Sequence, residues 1–255
     1  MRSIKFMDHD GTIHDGWVFE NQVGIVQGDI FTEFKRDQAT IPMSEIKLLP
    51  PVAPSKIICV GRNYPAHAKE HGVEVPKVPL IFLKPPSSLI TNDDEIVLPP
   101  QSKQVEHEAE LAVIIGKQGR WITPEQAKEM IFGYSIANDV TARDLQRTDN
   151  QWTRAKGFDT FCSLGPWIES DINPLDSLIT CRVNGEMRQM GSTRDMVFSV
   201  RQLIAYISSI MTLMPGDVIL TGTPAGVSPL APGDIVEISI EGIGTLRNKV
   251  VSQKE

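Results

Sequence analysis

The sequence predicts a β-rich α+β protein in which a small strand-rich N-terminal domain, residues 1–50, precedes a larger domain, residues 51–255. Short apolar segments separated by turn residues recur through most of the chain, and few segments have the 3.6-residue spacing of an amphipathic helix. Pro50, Pro51 and Pro54 interrupt regular structure between the two groups of segments, which indicates a linker. With 255 residues, 41 % of them hydrophobic, the chain is long and apolar enough for a sizeable core.

Charge and cysteine content narrow the possible function classes. The net charge of −7 and the pI near 5.3 argue against a nucleic-acid partner, because phosphate binding requires a basic field. Cys59, Cys162 and Cys181 form no CxxC pair, which fits a reducing compartment. No apolar run approaches the roughly 18 residues of a membrane span, and Asp8 and Asp10 come too early for a signal peptide. We therefore expect a cytoplasmic protein with no membrane partner.

The N-terminal domain is predicted to contain strands at residues 3–7, 17–20 and 22–27. Asp8-His9-Asp10-Gly11-Thr12 copies the aspartate signature of haloacid-dehalogenase-type phosphatases, which requires a buried apolar strand before it and a helix after it. Polar and apolar residues alternate before this segment, and Gly16 follows it too soon for a helix. An Asp-Gly hairpin turn is therefore the favoured interpretation.

The second domain begins with a buried-looking strand at residues 56–60, and further strands are predicted at residues 79–84 and 96–98. Between the first two, His67 and Glu70 stand three residues apart, so one helical turn would place them on one face. A carboxylate in contact with an imidazole orients it and raises its basicity, and such a pair can take a proton from water. An ordinary charge pair on a surface turn is the alternative.

Three acidic residues flank two predicted strands. Glu108 and Glu110 lead into the apolar run of residues 111–115, and side chains two apart in a strand point to the same face. Asp139 follows a second strand, residues 132–138. Clustered carboxylates repel one another unless a cation lies between them, and hard oxygen ligands suit Mg²⁺ or Mn²⁺. Alternatively, Glu108 and Glu110 form the solvated face of an edge strand.

A helix is predicted over residues 123–131, because Thr123 and Gln126 have the spacing of a capping box and Pro124 suits a first turn. Residues 146–161 are polar and read as an irregular loop that contains Trp152 and Lys156. Such a loop beside an acidic centre either folds over a ligand or is simply solvated.

The last third of the chain is predicted to be mostly strands, at residues 178–183, 186–190, 218–220 and 235–240. Asn184-Gly185 between the first two is a strong hairpin signal. One helix is predicted at residues 199–210, because its apolar residues have helical spacing. The loop of residues 221–227, rich in Gly and Thr, has backbone amides and hydroxyls that can cradle a carboxylate or phosphate.

Six separated blocks together resemble one family. They are Gly61-Arg62-Asn63-Tyr64 with His67 and Glu70, Phe82-Leu83-Lys84-Pro85, His107-Glu108-Ala109-Glu110-Leu111, Asp139 with Thr141-Ala142-Arg143-Asp144 and Gln146, Trp152-Thr153 with Lys156, and Thr221-Gly222-Thr223-Pro224. Their order resembles that of the fumarylacetoacetate hydrolase (FAH) family, from about Ile57 to the C-terminus. The N-terminal segment resembles the small variable domain of many bacterial members.

The resemblance implies a mixed β-roll with few helices, usually a homodimer, with the active site at one mouth of the roll. It implies Mg²⁺ or Mn²⁺ held by Glu108, Glu110 and Asp139. It also implies catalytic roles for His67 and Glu70, on a lid segment that activates water, and for Lys156 as the cation beside the reacting oxygen.

Further residues are implied as substrate contacts or as supports of the site. They are Arg62, Tyr64, Arg143, Gln146 and Thr223, the last as a ligand of the substrate carboxylate. Glu106 has no ligand role in this pattern.

These parts imply an enzyme acting on small 2-oxo acids. Such an acid chelates the cation, which stabilises an enolate at the 2-oxo oxygen and weakens bonds at C3. Hydrolysis of an acylpyruvate or decarboxylation of an oxaloacetate-like acid is the leading prediction. The alternative is a 2-hydroxyhepta-2,4-diene-1,7-dioate isomerase or decarboxylase of aromatic catabolism, and a non-catalytic binding protein is the alternative from another class.

Overall fold

Strands dominate the computed structural model, which describes residues 1–253. The first ten strands are β1 (Arg2–Met7), β2 (Ile13–Phe19), β3 (Gln22–Gly28), β4 (Phe34–Arg36), β5 (Ile41–Pro42), β6 (Lys47–Leu49), β7 (Ile57–Gly61), β8 (Leu80–Lys84), β9 (Leu89–Ile90) and β10 (Glu95–Leu98). The others are β11 (Val105–Glu106), β12 (Ala109–Ile115), β13 (Ile131–Asp139), β14 (Thr141–Ala142), β15 (Cys162–Glu169), β16 (Leu178–Val183), β17 (Glu186–Ser192), β18 (Val218–Leu220), β19 (Ile235–Ile240) and β20 (Gly244–Ser252).

Helices are short and few, as predicted for an α+β protein of this kind. The α-helices are α1 (Pro65–Glu70), α2 (Arg143–Thr148), α3 (Thr153–Lys156) and α4 (Val200–Ile210). The 3₁₀ helices are Met43–Glu45, Pro86–Ser88, Gln126–Met130, Pro174–Asp176 and Thr193–Asp195. Among residues 1–253, no helix has both the length and the apolar character needed to cross a bilayer.

The strands form one large mixed sheet and two smaller ones. The large sheet runs in the order β4-β3-β2-β1-β15-β13-β12-β18-β7-β8, and β5, β6 and β9 pair to β3, β1 and β15. β18 runs parallel to β7 and antiparallel to β12, so the sheet is mixed. A five-stranded sheet has the order β10-β20-β19-β16-β17, and β11 pairs with β14.

Strand β12 is buried on both faces, which explains its uninterrupted apolar sequence. Leu111 and Val113 pack into the main core, to which the five-stranded sheet and α4 also contribute. Ala112 and Ile114 point the other way, into a second cluster with residues of β7, β15 and β18. Because strand side chains alternate, Glu110 lies on the same face as Ala112 and Ile114.

The N-terminal strands continue the large sheet. Strand β1 pairs with β2 over its whole length and with β15 at Arg2 and Ser3. Gly11 has φ +81° in the turn between β1 and β2, and the Asp8 carboxylate accepts hydrogen bonds from the amides of Asp10 and Thr12. The predicted Asp-Gly hairpin is therefore confirmed, and no helix follows it as the phosphatase interpretation would require. The boundary between two domains near residue 50 stays a prediction.

The predicted helix over residues 123–131 is wrong in type and length. The side chains of Thr123 and Gln126 bond reciprocally to each other's backbone amides, as in a capping box, but only a 3₁₀ helix, Gln126–Met130, follows. The Met130 carbonyl accepts a hydrogen bond of 2.7 Å from the Gly116 amide, and Ile131 already belongs to β13. The sheet therefore captures the chain before an α-helix can extend.

The prediction of an irregular loop over residues 146–161 is also wrong. Helix α2 ends inside this stretch, and helix α3 lies wholly within it. The two helices have only six and four residues. Their buried side chains include Arg143 and Lys156, so they carry no apolar stripe that a periodicity argument could detect. By contrast, α4 has its predicted position, with a capping box between Ser199 and Gln202.

Candidate active site

Three buried carboxylates meet where β12 and β13 run side by side. Glu108 immediately precedes β12, Glu110 lies within it, and Asp139 ends β13. The Asp139 amide donates to the Glu108 carbonyl at 2.9 Å, and the Glu108 amide donates to the Asn138 side chain at 2.9 Å. Each carboxylate offers an oxygen within 4.8 Å of the others. The structure thus brings together all three predicted metal ligands.

Three buried cations hold two of these carboxylates. Lys156 Nζ bridges Glu108 and Asp139, at 2.8 Å from an oxygen of each. Lys84 Nζ donates to the other Asp139 oxygen at 2.5 Å, and Arg143 donates to the other Glu108 oxygen at 2.5 Å. Because every oxygen of Glu108 and Asp139 has a cationic partner, both side chains are fixed in position before any ligand binds.

Glu106, for which the family pattern has no ligand role, pairs with the same arginine. Its Oε2 accepts from Arg143 Nε at 2.7 Å, and Gln146 Oε1 accepts from another Arg143 nitrogen at 2.6 Å. Arg143 therefore supports the site from behind, which is one of its two predicted roles. Gln146 lines the cavity and helps to orient the guanidinium.

Glu110 differs from its neighbours because it has no cationic partner within residues 1–253. Its Oε2 accepts only from the Gly222 amide, at 2.6 Å. Burial, Asp139 and Glu108 all raise the pKa of Glu110 well above its ordinary value. Burial would also raise the pKa of Glu108, but Lys156 and Arg143 outweigh it and hold that pKa well below the usual range. The cluster thus contains a carboxylate that is short of positive charge.

This donor set fits a hard divalent cation. Four carboxyl groups, those of Glu106, Glu108, Glu110 and Asp139, face three cationic side chains, so within residues 1–253 one buried carboxyl group lacks a cationic partner. All the ligand atoms on offer at the triad are carboxylate oxygens, which Mg²⁺ and Mn²⁺ prefer. The residues present therefore fit the predicted metal, which Glu108, Glu110 and Asp139 would hold.

His67 and Glu70 form the predicted pair on helix α1. His67 Nδ1 lies 3.2 Å from Glu70 Oε2, and Glu70 Oε1 accepts from the Gly226 amide at 3.0 Å. Burial lowers the pKa of His67 below its ordinary 6.5, although Glu108 acts in the opposite direction. The imidazole is therefore neutral at pH 7, which is the form of a base.

A cavity of about 310 Å³ connects the triad with His67. Its walls contain the predicted residues Arg62, Arg143, Gln146, Lys156 and Thr223, together with Phe82, Trp152, His71 and Arg147. Tyr64 lies elsewhere: it lines a separate cavity beside Met190 and Pro224, and its buried hydroxyl has no hydrogen-bond partner among the described residues. Its role as a substrate contact stays a prediction.

The Thr223 hydroxyl is already occupied. It donates to the Ala109 carbonyl at 2.9 Å and accepts from Gln189 Nε2 at 2.7 Å. With its single proton used, the hydroxyl cannot donate to a substrate carboxylate unless this bond breaks. The predicted carboxylate contact would then fall to the Thr223 backbone amide, which has no partner among the hydrogen bonds of residues 1–253.

Sequence reasoning assigned no role to two features of the site. Lys84 is 1 % exposed and bonds directly to Asp139. Its signals in the sequence were its place in the Phe82-Leu83-Lys84-Pro85 block and a lysine at the end of an apolar strand. Gly222 has φ +98°, and a Cβ there would approach Asn63 Cβ to 2.8 Å. A glycine is thus required where the backbone turns its amide toward Glu110.

The chain is similar to known proteins over nearly its whole length. Residues 56–251 match the family described as fumarylacetoacetate (FAA) hydrolase C-terminal, and residues 1–51 match the family described as Rv2993c-like, N-terminal. Human mitochondrial oxaloacetate tautomerase FAHD2A is 49 % identical over 224 residues, which make up 83 % of this chain and 71 % of that protein.

Two solved structures resemble the fold closely. The 2-hydroxyhepta-2,4-diene-1,7-dioate isomerase of Mycobacterium marinum has a TM-score of 0.91 at 40 % identity, with 100 % of both chains covered. The maleylpyruvate hydrolase of Sphingobium sp. SYK-6, in complex with manganese(II) and pyruvate, has a TM-score of 0.82 at 32 % identity, again with 100 % of both chains covered. The predicted family and fold are therefore confirmed, and the chain belongs to the fumarylacetoacetate hydrolase family.

Proposed function

We propose that this chain is a Mg²⁺- or Mn²⁺-dependent enzyme that acts on small 2-oxo acids by way of an enolate. The observation that carries the proposal is the shared cavity, which Glu108, Glu110 and Asp139 line together with His67. When bound at the triad, a divalent cation would stabilise negative charge on the oxygens of a 2-oxo acid. A manganese complex of a relative that is 32 % identical supports this choice of metal.

His67 is the proton acceptor in this proposal. Its Nδ1 is engaged with Glu70, and its Nε2 has no hydrogen-bond partner within residues 1–253. Glu70 is in turn held by the Gly226 amide, so the imidazole keeps one orientation. The neutral ring can take a proton from C3 of a 2-oxo acid or from a water molecule.

Lys156 cannot serve as that base. Burial acts to lower its pKa, but Asp139 and Glu108 outweigh burial and raise the pKa to about 12. It therefore stays protonated, bridges Glu108 and Asp139, and supplies fixed positive charge at the cavity wall. Phe82, whose ring centroid is 5.0 Å from Nζ, shields this charge from water.

Proton transfer is the reaction that the relatives favour. Proteins named as oxaloacetate tautomerases share 46–49 % identity with 83 % of this chain, and a structure named as a diene-dioate isomerase is 40 % identical. Tautomerisation needs only His67 to move a proton between C3 and the 2-oxo oxygen of an oxaloacetate-like acid. We place this reaction ahead of the carbon-carbon bond cleavage that led the sequence prediction.

Cleavage by hydrolysis or decarboxylation is the second candidate. The maleylpyruvate hydrolase structure, which contains pyruvate, supports it. In this reaction His67 would direct water onto a carbonyl attached to C3. The predicted homodimer and cytoplasmic location remain proposals, and light scattering would test the former.

Proton NMR in D₂O distinguishes the candidates. Oxaloacetate, acetylpyruvate, fumarylpyruvate and a 2-hydroxy-diene-dioate are each followed with Mg²⁺ or Mn²⁺, with Glu110→Gln protein plus metal as the background control. Protein-dependent exchange at C3 of oxaloacetate supports tautomerisation, and new pyruvate from the acylpyruvates supports cleavage. If neither exceeds the Glu110→Gln background on any substrate, the proposed function is wrong.

A further inference from the structure

His67, Glu70 and His71 form a second ligand set beside the carboxylate triad, here named the histidine cluster. Helix α1 ends at Glu70, but the His71 amide still donates to the His67 carbonyl at 3.3 Å. The two histidines therefore lie four residues apart on one helical face, a spacing that zinc proteins use to present two imidazoles. The cluster offers two nitrogens and one oxygen, all within 4.8 Å of one another.

His71 has no part in the proposed function, and the hydrogen-bonding capacity of its ring is only partly used. The ring packs edge-on against His67, with centroids 4.6 Å apart and planes at 81°. Its Nε2 is buried and has no hydrogen-bond partner in the part of the chain that the structure describes. A buried nitrogen without a partner is costly, so a role as a ligand would explain its position.

The ligand chemistry separates this cluster from the triad. Two imidazoles and one carboxylate suit Zn²⁺ and similar transition-metal ions, whereas three carboxylates suit Mg²⁺ and Mn²⁺. His67 and His71 both line the cavity, so a fourth coordination position would open toward it. Glu70 is exposed and His71 is half-buried, so rotation of their side chains can bring the ligand atoms to bonding distance.

Positive charge nearby does not prevent occupation by a cation. Arg143 is a cationic neighbour whose charge lowers the pKa of both histidines. Its guanidinium is already paired with Glu106 and Glu108. Glu70 uses Oε1 for the Gly226 amide and directs Oε2 toward His67, so one carboxylate oxygen remains on the histidine side.

We propose that His67, Glu70 and His71 bind Zn²⁺, and that zinc bound there inhibits the enzyme. The site itself does not depend on the proposed function. The inhibition does rest on it, because zinc would replace the contact between His67 and Glu70 that orients the imidazole for proton transfer. Zinc would thus compete with catalysis at the base and not at the triad.

Cobalt(II) absorption tests the site without any turnover. Full-length protein is freed of metal, saturated with Mg²⁺ to fill the triad, and titrated with Co²⁺. Four-coordinate Co²⁺ with nitrogen ligands absorbs far more strongly in the visible range than the six-coordinate ion with oxygen ligands. We expect one equivalent of the strong spectrum, which Zn²⁺ displaces, and we expect His71→Phe to weaken binding about 10-fold or more, since a ligand is lost.

Two further variants keep the cobalt experiment decisive. His71→Phe keeps an aromatic ring packed against His67. His67→Gln removes another ligand and is expected to abolish the strong cobalt spectrum. His9→Phe is the matched control, because His9 is an exposed histidine of the Asp8-His9-Asp10 turn, and it should bind Co²⁺ as the wild type does. Only the weak six-coordinate spectrum in the wild type, or an unchanged spectrum in His71→Phe, would overturn the proposal.

Inhibition is measured separately, as the Zn²⁺ concentration that halves each protein's own Mg²⁺-dependent rate. His71→Phe should need about 10-fold more zinc than the wild type or His9→Phe. An unchanged concentration would refute inhibition through the cluster. Absence of turnover in every protein would refute the proposed function but leave the cobalt result standing.

Discussion

Glu108 and Glu110 line the same cavity but differ in counter-charge, so their replacement by Gln should change the stability of the metal-free protein in opposite directions. Glu108 is bound by Lys156 and Arg143, whereas within residues 1–253 Glu110 accepts a hydrogen bond only from a backbone amide. Both substitutions keep side-chain size and one acceptor oxygen. The two variants therefore isolate the effect of the carboxylate charge on stability.

Glu108→Gln leaves two buried cations with incomplete partners, and breaking a buried ion pair costs about 3–5 kcal/mol. At about 2 °C per kcal/mol for a chain of this length, the Tm should fall by about 6–10 °C. The unfavourable environment of Glu110 predicts that Glu110→Gln instead raises the Tm. Because its pKa in the folded state is raised above 4.5, the metal-free wild type loses stability as the pH rises above that value.

That loss amounts to at most about 1.4 kcal/mol per pH unit until the pKa of the folded state is reached. Glu110→Gln has no such loss, so its Tm should exceed that of the metal-free wild type at pH 7, and the difference should shrink toward pH 4.5. With Mg²⁺ at 100 times its Kd, the wild type should gain about 2.7 kcal/mol, and neither variant should show this gain.

Thermal unfolding followed by circular dichroism measures all three proteins, in chelator and then in Mg²⁺, from pH 5 to pH 8. If Glu110→Gln in chelator at pH 7 is destabilised as much as Glu108→Gln, the assignment of Glu110 as the carboxyl group without a cationic partner is wrong. A full Mg²⁺-induced rise in Tm in either variant would contradict the assignment of that residue as a metal ligand.

Three other predictions concern supporting residues and the base. Lys84→Met should destabilise the protein by about 3–5 kcal/mol in thermal unfolding, because it leaves Asp139 with one buried cation instead of two. Asn63→Ala should cost about 2–4 kcal/mol, because both polar atoms of the Phe198 backbone lose a partner. His67→Gln should lower kcat/KM by about 10²–10⁴-fold. In the wild type, kcat/KM should fall only as the pH drops below 6.5, because burial lowers the pKa of His67 and the neutral ring is required.

Matched controls accompany these variants. Lys69→Met, Asn21→Ala and His9→Gln remove the same side chains at exposed positions and should leave Tm and kcat/KM close to wild-type values. A Tm of Lys84→Met or Asn63→Ala equal to that of its control would refute the role of the corresponding bonds. An acid limb above pH 6.5 would refute His67 as the neutral base.

Local patterns predicted the elements that local physics determines. The apolar run of residues 111–115 is a buried strand, Asn184-Gly185 joins two paired strands, and Ser199 caps α4. The order of motifs predicted the family and fold. These features depend on side-chain alternation, turn chemistry and capping, which short stretches of sequence express directly.

Features that depend on distant partners were missed or mistaken. Lys84 meets Asp139 across 55 positions, and nothing in its own strand indicates a carboxylate opposite. The helix expected to run to Ile131 is cut short by a hydrogen bond from Gly116, and α2 and α3 lack an apolar stripe. Tertiary contacts decide each of these cases, whatever the local propensity.

The position of β18 has a consequence for the order of events during synthesis. This strand lies between β12 and β7 in the large sheet, although it follows both in the chain by about a hundred residues or more. The Gly222 amide, which donates to Glu110, comes shortly after it. A ribosome-bound chain that ends before β18 would have two unpaired central edges and no amide for Glu110. Acquisition of metal is therefore expected only after nearly the whole polypeptide has emerged, and nascent chains stalled earlier should depend on chaperones to avoid edge-to-edge aggregation.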